Sequence, residues 1–174
     1  MMRCMILDID CGWATRFKYV RVGRRTEELI AVSEVSWQEL SQSECLGLLA
    51  GQHLGRVVLV DDRGPIAVPV NFVLDRDTVV FRSDEGSKLD VARLGASVAF
   101  EVDRADEATR TGWSVLVRGQ ATKITDPDDL ARVRQLLLSP WAPGAKTHYV
   151  RILPSTLTGR RIAVPRDTPW QWWG

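Results

Sequence analysis

Thr78-Val79-Val80-Phe81 runs into Arg82-Ser83-Asp84-Glu85-Gly86-Ser87-Lys88, and Leu89-Asp90-Val91-Ala92-Arg93-Leu94 follows. The first four residues are apolar and β-branched or aromatic, the composition of a strand. The last six place apolar side chains at 89, 91, 92 and 94, the spacing of a short amphipathic helix. Between them lies a polar turn in which Gly86 lets the backbone bend closely. Arg82, Ser83, Ser87 and Lys88 bring two cations and two hydroxyls to that turn. Cations beside the free amides of a helix start attract anions, phosphate above all. The competing reading is a strand-to-helix connection whose charges simply face water.

Working outward, several strands surround this turn. Gly55–Val60 and Ile66–Leu74 are apolar runs separated by Asp61-Asp62-Arg63-Gly64, a turn with a glycine free to take positive φ. Asp75-Arg76-Asp77 then turns into Thr78–Phe81, so the three runs predict an antiparallel meander. Ser97–Val102 is a fourth strand, Asp103–Thr111 a charged loop and Gly112–Ile124 a long fifth strand. His148–Pro154 and Thr156–Ala163 read as the sixth and seventh. Gly119 interrupts the fifth strand and marks a bulge or barrel corner.

Helices are signalled at three places. Ser41 with Glu44 three residues on is a capping box, and Leu40 with Cys45 is the matching hydrophobic staple. Cys45, Leu46, Leu48 and Leu49 then face inward up to Gly51. Cys45 reads as a core thiol. The second helix is 88–94. Asp126-Pro127-Asp128-Asp129 opens a third, with Leu130, Val133, Leu136, Leu137 and Leu138 as its inner face. Strands dominate and connections are short. The fold class is therefore mainly β, an antiparallel barrel of six to seven strands with about three flanking helices.

Composition narrows the function. The chain has 174 residues, enough for one domain with a real core. Its 23 Lys and Arg against 22 Asp and Glu argue against a nucleic-acid partner. Three cysteines (Cys4, Cys11 and Cys45) and two distant histidines, His53 and His148, form neither a disulfide framework nor a metal site. No apolar run reaches the roughly 20 residues that span a bilayer, and the start lacks a signal-peptide pattern. The expectation is a cytoplasmic protein with no membrane partner. Residues 1–35 carry no sustained period and are set aside as an N-terminal extension. Residues 36–164 form the domain, and 165–174 is a Trp-rich tail.

The order of these motifs resembles the flavin-binding split barrels related to pyridoxamine 5'-phosphate oxidase. The likeness runs from about Leu40 to Ile162. It rests on Gly55-Arg56-Val57, Ile66-Ala67-Val68-Pro69-Val70-Asn71-Phe72, Val80-Phe81-Arg82-Ser83 with Gly86-Ser87-Lys88, Val98-Ala99-Phe100-Glu101-Val102, and Trp113-Ser114-Val115-Leu116-Val117-Arg118-Gly119. The resemblance implies a split β-barrel homodimer with FMN at the subunit interface, passing hydride or electrons to a small-molecule substrate. It implies that Arg82, Ser83, Ser87 and Lys88 hold the cofactor phosphate, with Phe81 also among the cofactor-binding residues. Charge-assisted hydrogen bonds to such a group are worth roughly 1.5–3 kcal/mol each. It also implies that Val68, Pro69, Val70 and Asn71 underlie the flavin ring. Trp113 and Ser114 would reach it from the second subunit. No catalytic side chain beyond the flavin is implied, and no metal.

Alternatives stay open at several residues. Pro69 is either a plain edge-strand proline or one that leaves backbone groups free for a ligand. Trp113 is either a core or interface aromatic or a flavin contact. Trp141, between two prolines, covers the ring or anchors its loop, with the anchor favoured. His148 is structural, a proton donor or a haem ligand; Arg56 contacts the cofactor or lies exposed. The family also includes deazaflavin-dependent reductases and proteins that hold flavin or haem without turnover, so both are competing functions. Thr158-Gly159-Arg160-Arg161-Ile162 follows the smaller, divergent, nitroreductase-like members rather than the vitamin oxidase.

Overall fold

The computed structural model describes residues 6–9, 17–21, 29–33 and 36–163. The chain falls into two compact units. One takes in Met1–Gln38, Ala105–Gly112 and Arg161–Gly174, the other Glu39–Arg104 and Trp113–Arg160. In the first, β1 (Ile6–Ile9), β2 (Phe17–Arg21) and β3 (Leu29–Ser33) form an antiparallel sheet in that order. Ile6 lies opposite Val20, and Val20 opposite Ile30. These strands of four and five residues are too short to show a period, which is why the sequence reading left them without elements. Cys4, Cys11-Gly12-Trp13, Arg24-Arg25 and the Trp-rich tail lie outside the described residues.

The second unit holds the expected barrel. A larger sheet has the order β4 (Ser36–Leu40), β10 (His148–Ala163), β7 (Thr78–Ser83), β6 (Gly64–Asp75), β5 (Leu54–Asp61), β8 (Ser97–Asp106), β9 (Thr111–Lys123). A further β10–β9 pairing joins its ends, so six strands close a ring and β4 hangs on β10. Period-two patterning explains the interior: Val57 and Leu59, Val98, Phe100 and Val102, and Val115 and Val117 are buried while alternate residues are not. Phe72 and Phe100 meet edge-to-face with centroids 4.8 Å apart. Gly55 is required here, because a Cβ would lie 2.3 Å from the Phe100 ring.

Three helices flank the barrel. Around α1 (Gln42–Ala50), Ser41 accepts from the Glu44 amide and the Glu44 carboxylate accepts from the Ser41 amide at 2.8 Å, the capping box read from sequence. Cys45 and Leu49 are its buried face, and burial pushes the Cys45 thiol pKa up, with the Glu44 charge adding to the shift. α2 is Ser87–Arg93. α3 (Pro127–Arg134) is capped by Asp126, whose carboxylate accepts from the amides of Asp128 and Asp129. β7 is buried on both faces. Val79 and Phe81 point into the barrel, while Val80 packs with Ile124, Val133 and Leu138 in a second cluster.

Several elements differ from expectation. β8 continues to Asp106, so the charged loop shrinks to residues 107–110. Residues 103–106 are exposed, and strand pairing there needs backbone, not apolar side chains. The sixth and seventh strands are one. Pro154 does not break β10, because its register with β7 ends at Ile152 and the proline lies beyond it. At Gly119 β9 packs directly on the β10 backbone, and a Cβ there would lie 2.0 Å from the Leu153 carbonyl oxygen. α3 stops at Arg134, leaving Leu137 outside it and 95% exposed.

One ion cluster locks α3 to the barrel. Asp75, 6% exposed at the end of β6, accepts from Arg132 Nη2 at 2.9 Å and Arg151 Nη2 at 3.0 Å. Asp129 accepts from Arg132 at 2.6 Å and from Arg151 at 2.9 Å. Two carboxylates face two guanidiniums. The Arg132 hydrogen bond holds Asp75 below the usual carboxylate range, and the Arg151 hydrogen bond leads the same effect at Asp129.

Candidate functional site

The candidate site begins where β6 and β7 part. Their register runs from Phe72 opposite Phe81 to Asp75 opposite Thr78. Towards its start, β6 stays paired with β5 from Gly64 to Asn71. Among the described residues no strand pairs with that length of β6 on the β7 side, which leaves a free edge there. Pro69 sits on this free edge and opposite Arg56, a position that suits a residue with no N–H to give. The expectation that Pro69 occupies an edge therefore holds, although β6 as a whole lies between two strands. Pro69 is exposed, Val68 and Asn71 half-buried, and the Val70 side chain buried.

Residues 139–147, the later part of the connection between α3 and β10, are held against this parting. The Trp141 amide donates to Asn71 Oδ1 at 2.8 Å, and Asn71 Nδ2 donates to the His53 carbonyl at 3.1 Å. Arg82 donates through Nε to the Lys146 carbonyl at 2.7 Å and through Nη2 to the Ala145 carbonyl at 2.9 Å. Its guanidinium also lies 5.4 Å from the centre of the Tyr149 ring. Asn71 and Arg82 thus fasten the two ends of one loop. Gly144, at φ 109°, packs on Asp84, which no larger residue could do there.

Antiparallel pairing places His148 opposite Ser83, so the residues just before β10 run beside the turn after β7. Lys146 Nζ reaches Asp84 at 2.8 Å, and this hydrogen bond holds the Asp84 carboxyl below its usual range. Arg93 and His148 meet Glu85 at 2.8 and 3.2 Å, and Arg93 is the main reason the Glu85 carboxyl is lowered. Ser83 is 2% exposed and its hydroxyl donates to the Asp84 carbonyl at 2.8 Å. Phe81 is 1% exposed and its side chain is barrel core. Ser87 starts α2 after Gly86, whose φ of 125° suits glycine alone.

Lys88 stands apart. It is half-buried and has no hydrogen-bond or ion-pair partner among the described residues. Burial lowers its pKa, the Lys146 charge lowers it further, and Asp84 offsets part of this. Arg82, Lys88, Arg93 and Lys146 therefore share this corner with Asp84, Glu85 and Asp90, four cations against three carboxylates. α2 has only seven residues, so the positive character of this corner comes from side chains more than from a helix dipole.

The remaining residues expected at the site lie elsewhere in the chain. Trp113 packs on the edge of the barrel core. Ser114 lines a cavity of about 450 Å³ with Leu116, Arg118, Thr158 and Arg160. Both belong to β9, which pairs with β8 and β10 and not with β7. Arg56 is exposed and tied to Asp103 at 2.8 Å and Glu101 at 3.3 Å. Lys146 was missed in the sequence. A single lysine in a Gly- and Pro-containing loop has no local signal, and only the β7–β10 register brings it to the turn.

Comparison with known proteins agrees with this architecture. Residues 41–161 match the model of the pyridoxamine 5'-phosphate oxidase family. An uncharacterised protein of Mycobacterium tuberculosis is 40% identical over 136 residues, covering 75% of this chain and 89% of that protein. The structure of an FAD binding protein from Mycobacterium smegmatis is 43% identical, with a TM-score of 0.62 over 71% of this chain and 97% of that one. A FAD-binding protein from Mesorhizobium loti is 25% identical, with a TM-score of 0.60 over 73% and 99% of the two chains. With its closed six-stranded ring, its flanking helices and this match across the barrel, the chain belongs to the pyridoxamine 5'-phosphate oxidase family and has its split-barrel fold.

Proposed function

We propose that this chain is a flavin-dependent oxidoreductase. It binds FMN as a homodimer, with the cofactor at the subunit interface, and exchanges hydride or electrons with a small molecule. The observation that carries this reading is Lys88. A cation drawn partly out of water, with no hydrogen bond or ion pair among the described residues and only a partial offset from the Asp84 charge, is unfavourable, and an external anion beside Ser87 accounts for its position. Two relatives named as FAD binding make a phosphorylated flavin the anion of choice. FMN suits one compact basic corner, and FAD is the competing form.

Bound flavin supplies the redox chemistry. The chain supplies the rest. Lys88 and Ser87 hold the phosphate, with Lys146 adding positive potential behind its pair with Asp84. The free edge of β6 at Val68–Asn71 offers backbone groups to the ring. Trp113 and Ser114, on β9, which does not pair with β7, serve the ring bound to a second copy.

The test is uptake followed by turnover. Titration with FMN and with FAD should quench flavin fluorescence and shift the visible bands, and NADH or NADPH should then bleach them. A protein that takes up neither flavin refutes the reading, and uptake of a deazaflavin or of haemin alone would replace it. Uptake of flavin without reduction by any donor would leave a carrier rather than an enzyme.

A further inference from the structure

We infer that Trp141 is a ring-contacting residue of the proposed flavin site, set in place by Asn71 and Arg82; this rests on the flavin reading above. The indole is 70% exposed, unusual for so large an apolar side chain. Exposure on a loose loop would mean little, but this loop is not loose. Its start is fixed by the Trp141 amide on Asn71 at 2.8 Å. Its end is fixed by Arg82 on the carbonyls of Ala145 and Lys146 at 2.9 and 2.7 Å, and by Lys146 on Asp84 at 2.8 Å. Pro140 and Pro143 remove further freedom on either side of the tryptophan.

Two features tie this rigidity to the site. Both clamps come from residues where β6 and β7 part, so the loop is referenced to the free edge of β6 carrying Pro69. Both act on main-chain atoms, so nothing in the fastening uses the indole. The sequence alone favours Trp141 as the anchor of its loop. The structure assigns the anchoring to Asn71 and Arg82 instead, and leaves a held, uncovered aromatic beside the proposed ring position. A planar ring is the partner such a side chain fits, through stacking or edge contact.

The experiment is titration of wild type, Trp141→Ala and Trp141→Phe with FMN, reading affinity and the visible spectrum of the bound flavin, with sedimentation on each protein. The expected result is a fall in affinity of about tenfold for Trp141→Ala, a shifted flavin band, near-complete rescue by Trp141→Phe and an unchanged oligomeric state. Wild-type affinity and an identical spectrum in Trp141→Ala overturn this inference while leaving the flavin reading intact. A changed oligomeric state with unchanged flavin binding also overturns it, in favour of a protein contact. Wild-type protein that takes up no flavin overturns both.

Discussion

Two charged clusters sit at strand ends of the same barrel, and they are built on opposite plans. At the end of β6, Asp75 and Asp129 face Arg132 and Arg151 in a closed set of four ion pairs. At the end of β7, Arg82, Lys88, Arg93 and Lys146 are set beside Asp84, Glu85 and Asp90, and Lys88 has no hydrogen bond or ion pair among the described residues. The first set is balanced in charge and pairs within itself, although Arg151 Nε is buried without a hydrogen-bond partner among the described residues. The second is left with positive charge and a free, half-buried ammonium. What separates a structural ion cluster from a binding site is thus not the number of charges but whether they cancel within the chain.

The largest expected effect tests the lock. Asp75→Ala removes the buried carboxylate and leaves Arg132 and Arg151 only Asp129, and it should lower unfolding free energy by about 3 kcal/mol, measured by chemical denaturation. Flavin affinity per folded molecule should stay the same. A loss below about 1 kcal/mol would mean the cluster is a surface network and the contrast fails.

Lys88→Ala comes next and should behave in reverse. FMN affinity should fall at least tenfold, about 1.4 kcal/mol. Unfolding free energy should hold or rise, because a poorly solvated cation is removed. Unchanged FMN affinity in a folded variant would remove the anchor of the site.

Acid should separate the clusters more gently. Asp75 and Asp129 have folded pKa values below their unfolded ones, so their contribution is complete above the unfolded value of about 3.9. It is lost as pH falls from there through the depressed folded values. Denaturation between pH 6 and 3 should show that loss, and Asp75→Asn should flatten it. An equal slope in the variant would place the acid sensitivity elsewhere. Asn71→Ala, the smallest change, frees the Trp141 amide. It should weaken FMN binding a few-fold (about 1 kcal/mol for one hydrogen bond) and speed proteolysis within residues 139–147. Wild-type cleavage there would mean that Asn71 does not hold the loop.

The same contrast explains what could be read in advance. The capping box at Ser41 and Glu44, the meander from β5 to β7 and the turn at Gly86 are local patterns, set by residues within a few positions of one another. The lock and half of the basic corner are not. Asp75 and Arg151 are 76 residues apart, and Lys146 and Asp84 are 62 apart. Nothing near Lys146 marks it, and only antiparallel pairing of β7 with β10 fixes its neighbours. The continuity of β10 through Pro154 is similarly non-local, since it depends on where the pairing with β7 ends. Polar residues 103–106 hid a strand because an exposed hairpin needs no apolar side chains.

The claim that Lys88 waits for a phosphate is tested most directly by comparing FMN with riboflavin, which has the same ring and no phosphate. Affinities for both would be measured on wild type and on Lys88→Ala. The account predicts that wild type prefers FMN by at least tenfold and that Lys88→Ala abolishes most of this preference with riboflavin binding unchanged. Equal preference in the two proteins, or equal loss of both ligands, would contradict it.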